Sequence, residues 1–236
     1  MDFSLMFMLT ALKAAAVRVP ITLAIAGSAL IIGALFGILI ALARFFRVRF
    51  LAPVLKWTVT IVKGIPVILI IIAIYIITAD HFNNMMEYLG IDFTFRNLNK
   101  AIIAIVALSI PAAVGLSEAF RGALASVGKG QYDAAYSVGH THLQLLWRIV
   151  LPQALPVSLP TVCGYSLGLT KAVSLASMIT VLDVLNGALQ TANGNYRYLE
   201  AYLAAAIVYW MICVVIENTF TVLERHFGGK LREIAG

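Results

Sequence analysis

Five stretches of the chain, each more than twenty residues long, carry at most two charged side chains apiece. An α-helix needs about 20 mostly apolar residues to cross the hydrocarbon core of a bilayer. Within lipid, every backbone amide and carbonyl must also find a partner inside the protein, which favours helices. The pattern therefore predicts an all-α integral membrane protein with five transmembrane helices. The predicted spans are residues 19–43, 57–78, 100–120, 160–181 and 199–223.

The composition supports a lipid environment for one domain covering residues 1–236. Only 12% of the 236 residues are charged and 61% are hydrophobic, whereas soluble domains have about a quarter of their residues charged. The net charge of +6 is spread in short patches between the apolar runs, which argues against nucleic-acid binding. The apolar stretch Phe3 to Leu12 precedes the first lysine, and we expect it to lie flat on the membrane surface.

Lysine and arginine residues are divided unequally between the two sides of the predicted membrane. Because positively charged residues concentrate in cytoplasmic segments, the richer side is predicted to be the cytoplasm. This places the N-terminus outside and the C-terminus in the cytoplasm. The ten residues on the predicted cytoplasmic side are Arg44, Arg47, Arg49, Lys56, Arg121, Lys129, Arg148, Arg225, Lys230 and Arg232. The five on the opposite side are Lys13, Arg18, Arg96, Lys100 and Arg197.

The cytoplasmic segment between the third and fourth spans, residues 128–156, has the pattern of two short helices around a glycine break. Asp133 is expected near the start of the first helix, where its charge suits the positive end of the helix dipole. Gly139 permits the turn, and the second helix covers 143–150 until Pro152 ends it. The expected apolar contacts of the second helix are Leu145, Leu146, Ile149 and Val150.

This segment resembles the coupling loop of permease subunits in ATP-binding-cassette (ABC) importers, whose pattern is E-A-A, three residues, G, nine residues, I-x-L-P. The matching residues are Asp133, Ala134, Ala135, Gly139, Ile149, Leu151 and Pro152. Aspartate replaces the usual glutamate, which shortens the side chain and keeps its charge. The resemblance implies the type I ABC importer permease fold. It also implies that the loop docks into a groove on a cytoplasmic ATPase subunit.

Further segments resemble the branch of this family that imports polar amino acids. Residues 63–66 resemble R-G-T-P, 117–123 resemble A-E-x-x-R-G-A, 129–131 match K-G-Q, 171–177 resemble K-D-T-S-L-A-S, and 224–225 match a closing E-R. The fourth of these lacks the aspartate and threonine of the family pattern, which makes the surroundings more apolar. The resemblance therefore implies a polar amino-acid substrate, with neutral or sulfur-containing amino acids, cystine among them, favoured over strongly cationic ones.

The resemblance also implies an assembly in the bacterial cytoplasmic membrane. Two permease subunits, either two copies of this chain or this chain and a paralogue, would join two ATPase subunits and an extracellular solute-binding protein. The assembly would import its amino acid by alternating access. ATP and Mg²⁺ are expected on the ATPase subunits, with no cofactor on this chain.

No enzymatic activity is expected of the chain itself. Residues 122–130 look like a phosphate-binding loop, but they have five residues between the glycines instead of four and no serine or threonine after the lysine. His140 and His142 are two positions apart, so on a helix they point in different directions and do not form a metal-binding pair. No nucleophile lies near a suitable base in the sequence.

Charged side chains within a membrane are rare and usually functional. Away from their first two residues, the predicted spans contain Lys63, Glu118, Lys171 and Glu217. Glu118 lies three residues before Arg121, a spacing that favours a local ion pair. Glu217 is expected to pair with an arginine.

Lys171 has two interpretations that the sequence leaves open. It either attracts a substrate carboxylate or pairs with an acidic residue. In the first case Lys171, Ser174 and Ser177 line the translocation path, with Ser177 standing beside the face that Lys171 and Ser174 share on an α-helix. Two other functions remain as alternatives, an ion-gradient-driven secondary transporter and a structural membrane subunit without a path.

Overall fold

The structure, a computed structural model, describes residues 3–235 and the side chains of residues 3–227. All regular secondary structure in this part of the chain is helical. The helices are α1 (Leu5–Ala16), α2 (Val19–Phe45), α3 (Leu51–Gly64), α4 (Val67–Tyr88), α5 (Lys100–Ser126), α6 (Lys129–Ser137), α7 (His142–Leu145), α8 (Leu151–Ala172), α9 (Val184–Ala192) and α10 (Tyr198–Ala235). A π-helical turn, Leu146–Val150, joins α7 to α8, and a 3₁₀-helix, Val173–Ile179, follows α8.

Within the described residues, five helical segments are long and apolar enough to cross a membrane, which agrees with the predicted number. They are Val19–Phe45, Val67–Tyr88, Lys100–Ser126, His142–Ile179 and Tyr198–Phe227. The apolar helix α1 is too short to span, and it buries Ala11 and Ala15 in a cluster with α9 and α10. Lys230 and Arg232, which belong to the predicted cytoplasmic set, lie outside the residues whose side chains are described.

The prediction of one continuous second span over residues 57–78 is wrong. Helix α3 ends at Gly64, Ile65 has an extended backbone, and α4 begins after Pro66. Proline disfavours the helical conformation of the residue before it and lacks an N–H group, so a helix rarely continues into it. The apolar span is therefore α4. Lys63 is exposed in the last turn of α3, outside the span instead of within it.

The fourth span also differs from its predicted bounds of 160–181. The helix does not end at Pro152, because the π-helical turn Leu146–Val150 directly precedes it and α8 continues from Leu151 with Pro152 as its second residue. The span thus starts at His142, within the segment 128–156, and passes through the π-helical turn. It ends in the 3₁₀-helix after Ala172, and Thr180, with a φ of +65°, terminates that helix.

Helices α2 and α5 pack closely at Gly33 and Gly37, two glycines four positions apart on α2. A Cβ atom at Gly33 would lie 2.5 Å from the Cβ of Ala112, and one at Gly37 would lie 3.1 Å from the Cβ of Leu116. Small residues let membrane helices approach this closely. Both glycines serve packing within the chain.

In the part of the chain whose side chains are described, three clusters of buried apolar side chains organise the helices. The first joins α2, α4, α5, the end of α8 and the 3₁₀-helix, and the second joins α1, α9 and α10. The third joins the end of α5 to α6, α7, the π-helical turn and the start of α8. This third cluster connects the segment between α5 and α8 directly to the spans, so the segment is not a free loop.

Candidate functional site

The coupling segment, residues 128–156, folds as two short helices that meet at a glycine turn. Ala135 on α6 is buried, whereas Asp133 and Ala134 beside it are exposed. Asp133 is the fifth residue of α6, and the first turn of this helix contains no acidic residue. The expectation that Asp133 stands at the positive end of the helix dipole is therefore wrong. Its side chain is instead exposed in the middle of α6.

Gly139 adopts a φ of +82°, in the left-handed region where a Cβ atom makes most residues strained. A Cβ atom at this position would have open space around it. The glycine is therefore required by the backbone conformation and not by crowding, which confirms the predicted turn. Thr141 then starts α7 with a capping box, in which its side chain and that of Gln144 each accept a hydrogen bond from the other's backbone amide.

A polar contact crosses this turn. The Tyr136 hydroxyl lies 2.6 Å from Nδ1 of His142, and the two rings meet edge to face. The His142 ring also meets the ring of Phe46, the residue after α2, edge to face at 6.5 Å between ring centroids. His142 therefore connects both coupling helices to the first span. The sequence pattern did not indicate this pair, because its members lie on different helices.

The inner side of the coupling segment is anchored as predicted. Leu145, Leu146 and Val150 are buried and Ile149 is partly buried against the third cluster. The Tyr132 hydroxyl also donates a 3.1 Å hydrogen bond to the carbonyl of Leu124 on α5. A displacement of the coupling segment would therefore be transmitted to α5 and α8.

The outer side of the coupling segment exposes large apolar side chains. Val138, Leu143 and Trp147 are 74%, 65% and 65% exposed. Large exposed apolar and aromatic side chains are typical of protein interfaces. None of the three was singled out from the sequence, where they are indistinguishable from buried helix positions.

A cavity of about 540 Å³ lies between α4, α5 and α8. Its lining residues are Val67, Pro111, Ala112, Thr161, Gly164, Tyr165, Gly168, Leu169 and Ala172. Two of them, Thr161 and Tyr165, offer hydroxyl groups, and the remainder of the lining is apolar. The Tyr165 ring lies directly against α5 at Gly115, where a Cβ atom would come within 2.2 Å of the ring. The sequence patterns did not identify Thr161 or Tyr165.

Lys171, Ser174 and Ser177 are not among the residues that line this cavity. Lys171 is exposed at the end of α8, three residues after Gly168 and therefore on the same side of the helix. It forms no ion pair in the part of the chain that the structure describes. The residue therefore lies at the edge of the cavity with its charge unmatched by a described acidic group.

The two serines belong to the 3₁₀-helix after α8. The Ser174 hydroxyl donates to the Lys171 carbonyl and the Ser177 hydroxyl to the Ser174 carbonyl, each at 2.7 Å. In a 3₁₀-helix, residues three apart align along one edge. Ser177 therefore follows Ser174 in line, instead of standing beside it as an α-helix would place it.

Glu118 forms the predicted ion pair with Arg121, at 2.9 Å, and a second one with Arg44 of α2, at 2.6 Å. The local pair follows from helix spacing, whereas the contact with Arg44 joins residues 74 positions apart. Glu217 is exposed, and its expected arginine partner is absent among the described residues.

A buried polar contact lies at the opposite end of the spans. Asp183, which is fully buried, caps α9 by accepting hydrogen bonds from the backbone amides of Leu185 and Asn186. It also accepts a 2.7 Å hydrogen bond from the Tyr209 hydroxyl of α10. Burial raises the pKa of Asp183 above its usual value, and the hydrogen bond from Tyr209 acts in the opposite direction. Among the described residues, no group of three histidine, cysteine or acidic side chains could hold a metal ion.

Comparison with known proteins decides the family. Residues 33–229 match the family of binding-protein-dependent transport system inner membrane components. The chain belongs to this family. It is 32% identical over 219 residues to the probable amino-acid permease protein YxeN of Bacillus subtilis (strain 168), with 93% of each chain covered. It is 33% identical over 196 residues to the L-cystine transport system permease protein TcyB of the same organism, covering 83% of this chain and 78% of TcyB.

Solved structures agree on the fold of this inner membrane component. A crystal structure of an amino acid ABC transporter with histidines aligns with a TM-score of 0.79 at 23% identity, over 96% of this chain and 100% of that one. The MetNI methionine ABC transporter aligns with a TM-score of 0.72 at 18% identity, over 96% and 99% of the two chains. The chain therefore has the type I ABC importer permease fold and is a multi-pass protein of the cytoplasmic membrane.

Proposed function

We propose that the chain is the transmembrane subunit of an ATP-driven importer of a polar amino acid. The observation that carries this proposal is the coupling segment, whose inner side is fixed to α5 and α8 while its outer side exposes apolar groups around the Gly139 turn. The names of the relatives, which include amino-acid and L-cystine permease proteins, support the substrate class.

The coupling segment would dock on a cytoplasmic ATPase subunit. Val138, Leu143 and Trp147 supply the apolar contact, and Asp133 places a negative charge beside it. We propose that the ATPase subunit, and not this chain, binds ATP and Mg²⁺. The end of the molecule that bears α6 and α7 would then face the cytoplasm, with the N-terminus outside and the C-terminus inside.

The amino acid would pass through the cavity between α4, α5 and α8. A volume of about 540 Å³ lies within the range of about 300–1,000 Å³ that is usual for small-molecule sites. Thr161 and Tyr165 can hydrogen-bond a zwitterion, and Lys171 at the cavity edge can attract its carboxylate. The mostly apolar lining fits a neutral or sulfur-containing side chain such as that of cystine. A second permease subunit, a copy or a paralogue, would close the open side.

Import would follow from alternating access. ATP binding favours the closed pair of ATPase subunits. Each coupling segment would move with its ATPase subunit and carry the spans along, because its outer side contacts the ATPase and its inner side packs against α5 and α8. A ligand can shift a conformational equilibrium only by its differential affinity for the two states. The outward-facing state would receive the amino acid from a solute-binding protein, and hydrolysis would return the spans to the inward-facing state.

The experiment is reconstitution of the chain with its ATPase subunit and solute-binding protein in lipid vesicles. We expect ATP hydrolysis to rise when the binding protein carries cystine or another neutral amino acid, and uptake to stop with a non-hydrolysable ATP analogue. Uptake that needs no ATP but depends on an ion gradient would contradict the proposal and favour a secondary transporter.

A further inference from the structure

A second cavity, of about 440 Å³, lies between the last turn of α2, the first half of α3 and the end of α5. Its lining residues are Arg44, Ala52, Pro53, Lys56 and Arg121. Three of the five lining residues are basic. This cavity is at the end of the spans that carries the coupling segment, because α5 leads directly into α6. It is separate from the cavity of the proposed translocation path.

Among the residues whose side chains are described, Glu118 is the one acidic group that forms ion pairs with these basic residues. Its Oε1 accepts from Nη1 of Arg44 at 2.6 Å and its Oε2 from Nη2 of Arg121 at 2.9 Å. Three positive groups against one negative group leave a net charge of +2. A single arginine would suffice to neutralise Glu118, so the second arginine and Lys56 are not explained by a structural ion pair.

The basic groups retain hydrogen-bond donors for a ligand. A guanidinium has five N–H donors, and Glu118 engages one nitrogen of Arg44 and two of Arg121. Lys56 is exposed and forms no ion pair in the described part of the chain. The Arg44 side chain is only 12% exposed, which holds its planar fork in a fixed orientation. Fixed arginine forks of this kind match the oxygen atoms of phosphate groups.

The surface beside the cavity indicates which kind of phosphate-containing ligand would bind there. Helix α3 exposes Val54 and Trp57, which are 60% and 67% accessible and lie three positions apart on one side of the helix, and Phe50, the residue before the helix, is 76% accessible. Exposed tryptophan beside basic residues at the end of a membrane span is typical of the membrane–water interface. A ligand in this cavity would therefore lie at the depth of lipid headgroups, with apolar side chains next to it for its acyl chains.

We propose that Arg44, Lys56 and Arg121 form a binding site for the headgroup of an anionic phospholipid. The headgroup phosphate receives hydrogen bonds from the arginines that Glu118 orients, and Lys56 adds charge at the open side. Basic cavities between transmembrane helices are suited to such headgroups. A lipid bound here lies against both α2 and α5, whose cytoplasmic ends also contact the coupling segment.

The test uses the purified complex of the chain with its ATPase subunit, delipidated in detergent and examined by native mass spectrometry. Phosphatidylglycerol is titrated in, with phosphatidylcholine as the zwitterionic comparison. The variant is Lys56→Gln, because Lys56 is exposed and its replacement does not disturb the Glu118 ion pairs. The matched control is Lys63→Gln, which removes the same charge from the same helix outside the cavity.

We expect phosphatidylglycerol to bind the original complex more tightly than phosphatidylcholine. Lys56→Gln should weaken this binding about fivefold, as expected for one basic residue near an anionic lipid surface, whereas Lys63→Gln should leave it unchanged and Lys56→Arg should restore it. Equal effects of the two glutamine variants would overturn the proposal, since they would indicate a general surface charge effect.

Two further results would assign the cavity to another ligand and thereby overturn the lipid proposal. In the first, inorganic phosphate at millimolar concentration displaces phosphatidylglycerol, which would indicate a soluble phosphate site. In the second, Lys56→Gln releases the ATPase subunit from the complex while lipid binding is unchanged, which would indicate a protein contact.

Discussion

The hydroxyl of Tyr136 on α6 lies 2.6 Å from Nδ1 of His142 on α7, across the turn formed by Gly139. This contact joins the two helices that would dock together on an ATPase subunit. His142 also meets the Phe46 ring at the end of α2. Under the proposed function, a movement of α6 would thereby reach α7 and the end of the first span.

Tyr136→Phe removes this hydrogen bond and keeps the ring. A hydrogen bond contributes about 0.5–1.5 kcal/mol, so we expect the amount of amino acid imported per ATP to fall about two- to tenfold while ATP hydrolysis continues. The control is Ser137→Ala, whose hydroxyl donates only to the Asp133 carbonyl within α6. Amino-acid uptake and ATP hydrolysis are measured in the same vesicles. An unchanged ratio of uptake to hydrolysis for Tyr136→Phe would show that this hydrogen bond does not contribute to coupling.

Glu118 holds Arg44 and Arg121 together, and Glu118→Gln leaves the largely buried Arg44 without its charged partner. Hydrogen bonds to charged groups contribute about 1.5–3 kcal/mol, so we expect a lower thermal unfolding midpoint for the purified complex. Glu217→Gln, at an exposed glutamate without a described ion pair, is the control and should change little. Equal midpoints for both variants would mean that the paired arginines contribute no net stability.

The buried carboxyl group of Asp183 should make the stability of the folded protein depend on pH. Because its pKa is raised in the folded protein, the folded state binds the proton more tightly than the unfolded chain does. Its contribution to the free energy of unfolding is therefore fully present below the ordinary aspartate pKa of about 3.9 and is lost as pH rises through the folded-state value. Asp183→Asn should remove this component of the slope of unfolding midpoint against pH.

Tyr209→Phe should act in the opposite sense to Asp183→Asn. The Tyr209 hydroxyl donates to the Asp183 carboxylate and holds its pKa down, so its loss should extend the fall in stability to higher pH. The two variants are compared by unfolding at a series of pH values. Identical pH profiles for the original protein and both variants would show that Asp183 does not titrate differently in the folded state.

Substitution of Lys171 tests the proposed translocation path. If it attracts the substrate carboxylate, Lys171→Ala should lower the rate of uptake about tenfold or more, because a charge-assisted hydrogen bond of about 1.5–3 kcal/mol is lost. Lys171→Arg should retain most of the rate. Lys63→Ala, at an exposed lysine at the end of α3, is the control. Normal uptake and normal substrate affinity with Lys171→Ala would contradict the carboxylate role.

Features that depend on local pattern could be predicted from the sequence. The number of spans follows from the length of the apolar runs, and the turn at Gly139 follows from a glycine between two helical patterns. The pair of Glu118 and Arg121 follows from their spacing on one helix. Each of these depends on residues within a few turns of one another.

Features that depend on the packing of segments distant in the sequence could not be predicted. Thr22 accepts a hydrogen bond from the amide of Val184, which is 162 positions away, and nothing near either residue indicates the other. The proline signals were present but ambiguous. Pro66 separates two helices whereas Pro152 lies inside the first turn of one, and only the surrounding structure decides between these uses of proline.

The coupling of uptake to ATP hydrolysis through the Gly139 turn is tested most directly by Gly139→Val. A β-branched residue at a φ of +82° costs about 1–2 kcal/mol and should reshape the turn. The control is Gly128→Val, because Gly128 has an extended backbone that valine adopts easily and open space for its side chain. The measurement is the ratio of amino acid taken up to ATP hydrolysed in vesicles. We expect this ratio to collapse for Gly139→Val and to stay normal for Gly128→Val, and a normal ratio for Gly139→Val would contradict the role assigned to the coupling segment.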